Sequence, residues 1–400
     1  MPASRVGVVG AGIVGLAVAR RLTEVQPDIL LTVLDKEDEV GAHQTGHNSG
    51  VAHAGVYYAP GSLKARLCRQ GIGLLKDYCL AKGIAYVECG KLIVAREDSE
   101  LGRLDELQRR ATANGVPGLR RLSPPEMAEV EPHVKGVSAL HSPSTAILDY
   151  RAVTRAYAQD VTDAGGKVRL RFEVTGIKRV GAEIRVSSQL GEELVFDRLI
   201  VCGGLQADRL AHLAGEDREP RIVPFRGEYH RLIASRTDLV RGLIYPVPDP
   251  TYPFLGVHFT RRVDGGVDIG PNAVLAFKRE GYRRTDFSAT DLIDILSSEG
   301  FRKLAVKNWR MGAGEMWGSF SKRAFIARAR DFIPSLTASD VVPAPAGVRA
   351  QALDPDGSLV DDFRITTVGG LTLVRNAPSP AATSSLAIGS YVVAQLHQDA

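Results

Sequence analysis

Residues 5–22 read Arg5-Val-Gly-Val-Val-Gly-Ala-Gly-Ile-Val-Gly15-Leu-Ala-Val-Ala-Arg-Arg-Leu22, and this stretch decides the fold. Its apolar run closing on Gly10 has the composition of a buried strand, and Gly10, Gly12 and Gly15 meet the G-x-G-x-x-G pattern that opens a dinucleotide-binding βαβ unit. Gly10 permits the tight turn, Gly12 lets the backbone approach a pyrophosphate, and Gly15 lets the following helix lie close on the sheet. Free N–H groups and the positive end of the helix dipole then face the phosphates.

The flanking residues complete the unit. Val14, Val18, Leu22 and Val25 recur at helical spacing, the helix stops before Pro27, and Ile29 to Leu34 is a second β-rich run ending at Asp35. A carboxylate at that position accepts both ribose hydroxyls of an adenosine and repels a 2′-phosphate. The βαβ unit alone leaves FAD and NAD open. Next comes His43-Gln-Thr-Gly-His-Asn-Ser-Gly-Val-Ala-His-Ala-Gly-Val-Tyr-Tyr58, whose glycines let it fold over a flat ligand. Thr45, Asn48 and Ser49 supply hydrogen-bond groups there.

At 400 residues the chain exceeds one ordinary domain of about 150 residues. Apolar residues at 44% and charged residues at 24% describe a globular chain with ample core. A net charge of +4 is too small to argue for nucleic acid, but suits an anionic small substrate or a transient contact with an acidic membrane surface. Cys68, Cys79, Cys89 and Cys202 have neither disulfide nor metal-ligand spacing, so ordinary reduced thiols and no metal are expected. The first strand begins by Val6, and no apolar run approaches the roughly 18 residues of a membrane span. The expected location is cytoplasmic, or peripheral on the inner face of a membrane.

Further along, apolar stripes predict helices at Pro60–Lys82, Leu101–Asn114 and Arg151–Ala164, and a strand at Lys91–Ala95. Lys167–Phe172 reads as a strand and Glu173–Val195 as a β meander offering backbone partners to an adenine, among them Val174. Phe196–Gly204 is a buried strand closing on glycines, which marks the nucleotide-binding unit resuming. Beyond Pro224, Tyr229–Ile233, Leu243–Val247, Phe254–Thr260 and Gly266–Gly270 alternate as antiparallel strands do. Helices follow at Ala289–Glu299, Ser321–Arg330 and about Pro380–Leu396. The fold class is therefore α/β, α+β overall. A discontinuous, Rossmann-like nucleotide-binding unit (1–85, 150–224 and 331–400) is interleaved with an antiparallel-sheet unit (86–149 and 225–330).

Several stretches together carry a family resemblance: the N-terminal fingerprint, the His43–Tyr58 loop, Pro224-Phe-Arg-Gly-Glu-Tyr229, Tyr245-Pro-Val-Pro-Asp-Pro250, Phe254-Leu-Gly-Val-His258, Gly270-Pro-Asn-Ala-Val-Leu-Ala-Phe277, Pro345-Ala-Gly-Val-Arg-Ala-Gln351 and Asn376-Ala-Pro-Ser-Pro-Ala-Ala-Thr383. Over nearly its whole length the chain resembles the L-2-hydroxyglutarate oxidase/dehydrogenase family, within the D-amino-acid-oxidase-like FAD oxidoreductases. The resemblance implies FAD as cofactor, a discontinuous Rossmann-like FAD-binding domain interleaved with an antiparallel-sheet substrate domain, and oxidation of L-2-hydroxyglutarate, a small dicarboxylate, to 2-oxoglutarate. Asp35 departs from the Glu commoner in the wider group, but both are acceptors. The resulting candidate cofactor-binding residues are Gly10, Gly12, Gly15, Asp35, Lys36, Thr45, His47, Asn48, Ser49, Val174, Gly203, Gly347, Pro378, Ser379, Pro380 and Ala381.

A helix starting near Pro380, with Ser379 as its cap, would offer its positive end to a flavin pyrimidine oxygen, where charge accumulates on reduction. Substrate with two carboxylates and a hydroxyl needs a fork-shaped cation and a proton acceptor. Arg349 can bind a carboxylate by two parallel hydrogen bonds. Arg226 is either a second such cation or a structural ion-pair residue. Tyr57, Tyr58 and Tyr245 are candidate donors to the distal carboxylate. His53 and His258 are the candidate bases, His53 favoured because its loop directly follows the nucleotide strand and Asn48 and Ser49 could fix its tautomer. Phe277-Lys-Arg-Glu-Gly-Tyr-Arg-Arg284 reads as a solvated loop, with contact to anionic lipid as its functional alternative. Oxygen and quinone both remain as electron acceptors. Two competing readings are an oxidase of another small 2-hydroxy or 2-amino acid, and a flavin-binding redox module without turnover.

Overall fold

The computed structural model describes residues 3–249 and 255–396. Strand Arg5–Val9 lies inside a six-stranded sheet whose order is Arg364–Val368, Leu371–Asn376, Arg198–Val201, Arg5–Val9, Leu30–Leu34 and Lys167–Arg169. All neighbours pair in parallel except the edge strand Arg364–Val368. Such a sheet must be covered on both faces. Helices Ile13–Val25, Tyr150–Asp163 and Ser385–Leu396 pack on one side around Leu16, Val18, Tyr157 and Ile388, and the meander Val174–Phe196 closes another core around Phe172, Val186 and Phe196.

Two glycines permit this closeness. Gly10 has φ of 104°, and a Cβ on Gly15 would lie 1.9 Å from the Gly10 carbonyl oxygen. The helix therefore starts directly against the strand end.

The second layer is a nine-stranded sheet carrying Arg221–Leu232, Leu243–Pro246, His258–Arg261, Val267–Gly270, Lys91–Ala95 and Ser138–Ser142. It is antiparallel but for one pairing, Leu243–Pro246 beside Lys91–Ala95. Its long edge is Arg221–Leu232 against Val341–Leu353, running from Arg221 opposite Leu353 to Leu232 opposite Val341. The segment 341–353 was expected with the nucleotide-binding unit. Its hydrogen bonds place it in this second sheet.

Two further expectations change. The last regular helix begins at Ser385; residues 379–384 form a turn in which Ser384 N–H donates to Pro380 O at 2.9 Å, so Ser379 does not cap it. A helical stretch, Glu299–Phe320, kinked at Asn308, fills a region for which no element was expected beyond Glu299. Pro250 and Phe254, which end one quoted motif and begin the next, lie outside the described residues.

Gly15→Ala is expected to destabilise the protein by about 2 kcal/mol or more, because a backbone carbonyl cannot swing aside as a side chain can. An unchanged thermal midpoint in a calorimetric scan would show that the close approach is dispensable.

Candidate active site

A cavity of about 1250 Å³ runs from the carboxyl ends of the parallel strands, at Val9, Leu34 and Cys202, to the second sheet at Gly227, Tyr229, Tyr245, His258 and Arg349. Its position is the usual one for ligands of open α/β sheets. Of the sequence-selected residues it brings together all but Arg226: Gly10, Gly12, Gly15, Asp35, Lys36, Thr45, His47, Asn48, Ser49, Val174, Gly203, Gly347, Pro378, Ser379, Pro380, Ala381, His53, Tyr58, Tyr245, His258 and Arg349 all line it.

At the βαβ end, Asp35 accepts from Ala11 N–H at 2.6 Å and Glu37 N–H at 3.0 Å, which fixes its carboxylate while leaving lone pairs for a ribose. Thr45 Oγ1 accepts from Ile13 N–H at 3.1 Å, tying the small-residue loop to the helix start. Lys36 is largely committed to the protein: its ammonium contacts Glu37, Glu280 at 2.9 Å and His43 at 3.2 Å. Glu37, His43 and Glu280 lie close enough together to suggest a metal site, but the cation among them is this lysine.

The Phe277–Arg284 stretch is solvated only in part: Lys278, Arg283 and Arg284 are exposed, while the side chains between them are held by the protein. Arg279, 1% exposed, pairs with Asp208 and with Asp294 at 2.9 Å; Glu280 binds Lys36 and Gln206; Tyr282 stacks on His47 with ring centroids 4.1 Å apart. The segment clamps the wall of the cavity, and those side chains are unavailable to lipid.

The other end holds the candidate chemistry. His258 Nδ1 lies 2.9 Å from Gly256 O, so it carries the proton and leaves Nε2 as an acceptor; the ring packs against Tyr245 at a tilt of 32°, with centroids 4.0 Å apart. His53 is held through its backbone, N–H to Thr383 Oγ1 at 3.1 Å, while its Nδ1 is buried without a hydrogen-bond partner. Asn48 therefore does not fix its tautomer: the Asn48 amide binds Thr45 O at 2.6 Å and accepts from Gly50 N–H at 2.8 Å, within its own loop. Burial, and then the nearby cations Lys91 and Arg349, hold His53 well below the ordinary histidine value; the same causes push His258 down to about 3. Both imidazoles are neutral. Burial raises the Tyr58 and Tyr245 phenols, so they remain protonated donors.

Arg226 is corrected to a structural residue. It is 5% exposed, pairs with Glu228 at 3.1 Å and donates to Arg283 O at 3.2 Å. Antiparallel partners share a face, and Arg226 pairs with Val348 whereas Arg349 pairs with Phe225, so the two arginines project from opposite faces. Sequence reading passed over Lys64 and Lys91. Lys64 lines the cavity and pairs with Asp361 at 2.8 Å. Lys91 has its Nζ 4.2 Å from the Tyr245 ring centroid and 5.3 Å from that of Tyr57. The available signal was a lysine opening the otherwise apolar run Lys91–Ala95.

The family model described as "DAO: FAD dependent oxidoreductase" matches residues 5–395. The chain belongs to this family. It is 49% identical over 407 residues to "L-2-hydroxyglutarate dehydrogenase, mitochondrial" of Homo sapiens, covering 98% of this chain and 88% of that protein. To "L-2-hydroxyglutarate dehydrogenase" of Escherichia coli (strain K12) it is 45% identical over 389 residues, covering 97% and 92%. Among solved structures, L-alpha-glycerophosphate oxidase from Mycoplasma pneumoniae with FAD bound superposes with a TM-score of 0.81 at 23% identity, covering 99% of this chain and 95% of the other.

The protein is thus an FAD-dependent oxidoreductase. The cavity fits the cofactor: Gly10, Gly12 and Asp35 line it at the strand ends where a pyrophosphate and a ribose would lie, and a Cβ on Gly347 would lie 2.3 Å from His47 O, so strand Val341–Leu353 meets the small-residue loop at its wall through a glycine.

Asp35→Ala is expected to weaken FAD retention, measured by flavin released on dilution, with turnover of the loaded fraction nearly unchanged. Unaltered FAD affinity would remove Asp35 from the ribose site.

Proposed function

We propose that the chain oxidises L-2-hydroxyglutarate to 2-oxoglutarate and passes the electrons to oxygen or a quinone. The observation that carries this reading is the convergence of a guanidinium fork, Arg349, with two neutral histidines and protonated tyrosines at one end of a flavin-sized cavity, in a chain nearly half identical to proteins named for that substrate. Residues 1–85, 150–224 and most of 331–400 are proposed as the FAD-binding domain, with Gly10, Gly12 and Gly15 at the pyrophosphate and Asp35 at the ribose.

FAD held by Gly10, Gly12, Gly15 and Asp35 would supply a two-electron acceptor for the C2 hydride, at N5 of its ring. The chain's own residues do the rest. Arg349 grips one carboxylate by parallel hydrogen bonds, and Tyr58 and Tyr245 donate to the other. His53 accepts the hydroxyl proton: its imidazole lines the cavity and is held neutral by burial and by the neighbouring cations. His258 has already spent Nδ1 on Gly256, so its Nε2 is left to position the substrate.

Anaerobic addition of L-2-hydroxyglutarate is expected to bleach the flavin spectrum; a yellow protein that no 2-hydroxy acid bleaches would support the non-catalytic module instead. Arg349→Lys should raise KM by about tenfold or more, since a point charge replaces a fork. His53→Gln should lower kcat by about 10²-fold, the usual scale for a lost general base. Because His53 sits below the ordinary value of 6.5, it stays neutral as pH falls, and the acidic limb of kcat/KM should lie below pH 6.5. A near-normal His53→Gln beside a crippled His258→Gln would exchange the two assignments.

A further inference from the structure

Five lysines and arginines are buried among the described residues: Lys64, Lys91, Arg226, Arg279 and Arg375. Four are neutralised by carboxylates, Lys64 by Asp361, Arg226 by Glu228, Arg279 by Asp208 and Arg375 by Asp217. Lys91, 2% exposed at the start of a wholly buried strand, forms no ion pair among the described residues. Its charge rests instead on the faces of Tyr57 and Tyr245, and both rings line the cavity on their way to the substrate end. A methionine would fill the same space at far less cost, because a buried ammonium without a counter-charge is expensive.

We propose that Lys91 is a specificity-determining residue: its ammonium, one aromatic ring behind the cavity wall, selects doubly negative ligands by leaving the substrate's second carboxylate as its counter-charge. The inference rests on reading that end of the cavity as the substrate site. Water and salt are excluded from the space between Nζ and the cavity wall, so the field reaches a bound anion little screened. Lys91 does not touch the reacting atoms. It acts through space on which anion is held.

The surroundings make the effect separable. The groups facing Lys91 are the thiols of Cys68 on helix Leu63–Ala81 and of Cys89 just before its own strand, and the phenols of Tyr57 and Tyr245. Its charge also reaches His53 and His258, which it helps keep neutral together with the cations Lys64 and Arg349. None of these is an anion at neutral pH. Burial lowers the Lys91 ammonium to about 7, so its charge is present below neutral pH and is lost as pH rises through that value.

The test measures binding to the FAD-loaded enzyme by perturbation of the flavin spectrum, so it does not depend on turnover. The two probes are 2-oxoglutarate and its monoanionic 5-methyl ester, for wild type and Lys91→Met. In wild type the dianion should bind about tenfold or more tighter than the ester below neutral pH, a preference that shrinks as pH rises through about 7. Lys91→Met should weaken the dianion by a similar factor, leave the ester within about twofold, and abolish the pH dependence of their ratio. Effects of the histidines and Arg349 common to both ligands cancel in that ratio. A merely structural lysine would instead weaken both probes alike, or neither, and that result overturns the proposal. Should Lys91→Met fail to fold, the wild-type ratio decides, since a ratio constant with pH also overturns it. A preserved dianion preference in an enzyme that does not turn over L-2-hydroxyglutarate would support the Lys91 assignment while refuting the proposed reaction.

Discussion

The contact between the Gly10 carbonyl and the first turn of helix Ile13–Val25 sets the geometry of everything built around it. With no Cβ at Gly15 the helix sits directly on the strand end, and its N–H groups reach the cavity floor beside Gly12. The same helix is approached from its other side, since a Cβ on Gly389 would lie 2.6 Å from Ala17 O. Helix Ser385–Leu396 thereby fixes where its preceding turn, Pro378 to Thr383, enters the cavity wall. A polar hub locks that turn to the small-residue loop: Thr383 Oγ1 accepts from His53 N–H and hydrogen-bonds Tyr150 OH at 2.9 Å.

The second sheet reaches the cavity through one long antiparallel pair. Register decides which of its side chains count, because a shift of one residue would exchange the faces. Opposite Phe225, Arg349 faces the cavity; opposite Val348, Arg226 turns into a buried cluster with Glu228, Arg284, Asn272 and Ser319. That cluster satisfies the Glu228 carboxylate with four side chains, which explains why it stays ionised when burial alone would raise it.

This register also explains what was legible beforehand. The strand–turn–helix fingerprint, Asp35 at the second strand end and the polar loop around His53 are local signals, written in residues close in sequence, and the structure brings them to one cavity. Arg226 and Arg349 could not be told apart by type, because their difference is a cross-strand register between segments over a hundred residues apart. The start of the last helix was missed by five residues because Pro380 suits a first helical turn, yet the chain makes a turn there before the regular helix. Helix Glu299–Phe320 escaped notice because its glycines 312 and 314 and its exposed Val306 and Trp309 blur any apolar stripe. Lys91 hid for the opposite reason: its neighbours are so uniformly apolar that the strand was clear and the charge looked incidental.

The electrostatic arrangement at the substrate end follows from placing several basic groups in one enclosed space. Arginine cannot give up its charge there, whereas an imidazole can remain neutral at little cost. With Arg349 and Lys91 nearby, His53 and His258 are therefore driven to the unprotonated form, which is the form a proton acceptor requires. Cations that draw in an anion and bases that must stay empty are thus not competing demands. The positive field that holds a carboxylate also clears the histidines of their protons, and the tyrosine rings between Lys91 and the cavity let that field pass without offering a competing anion.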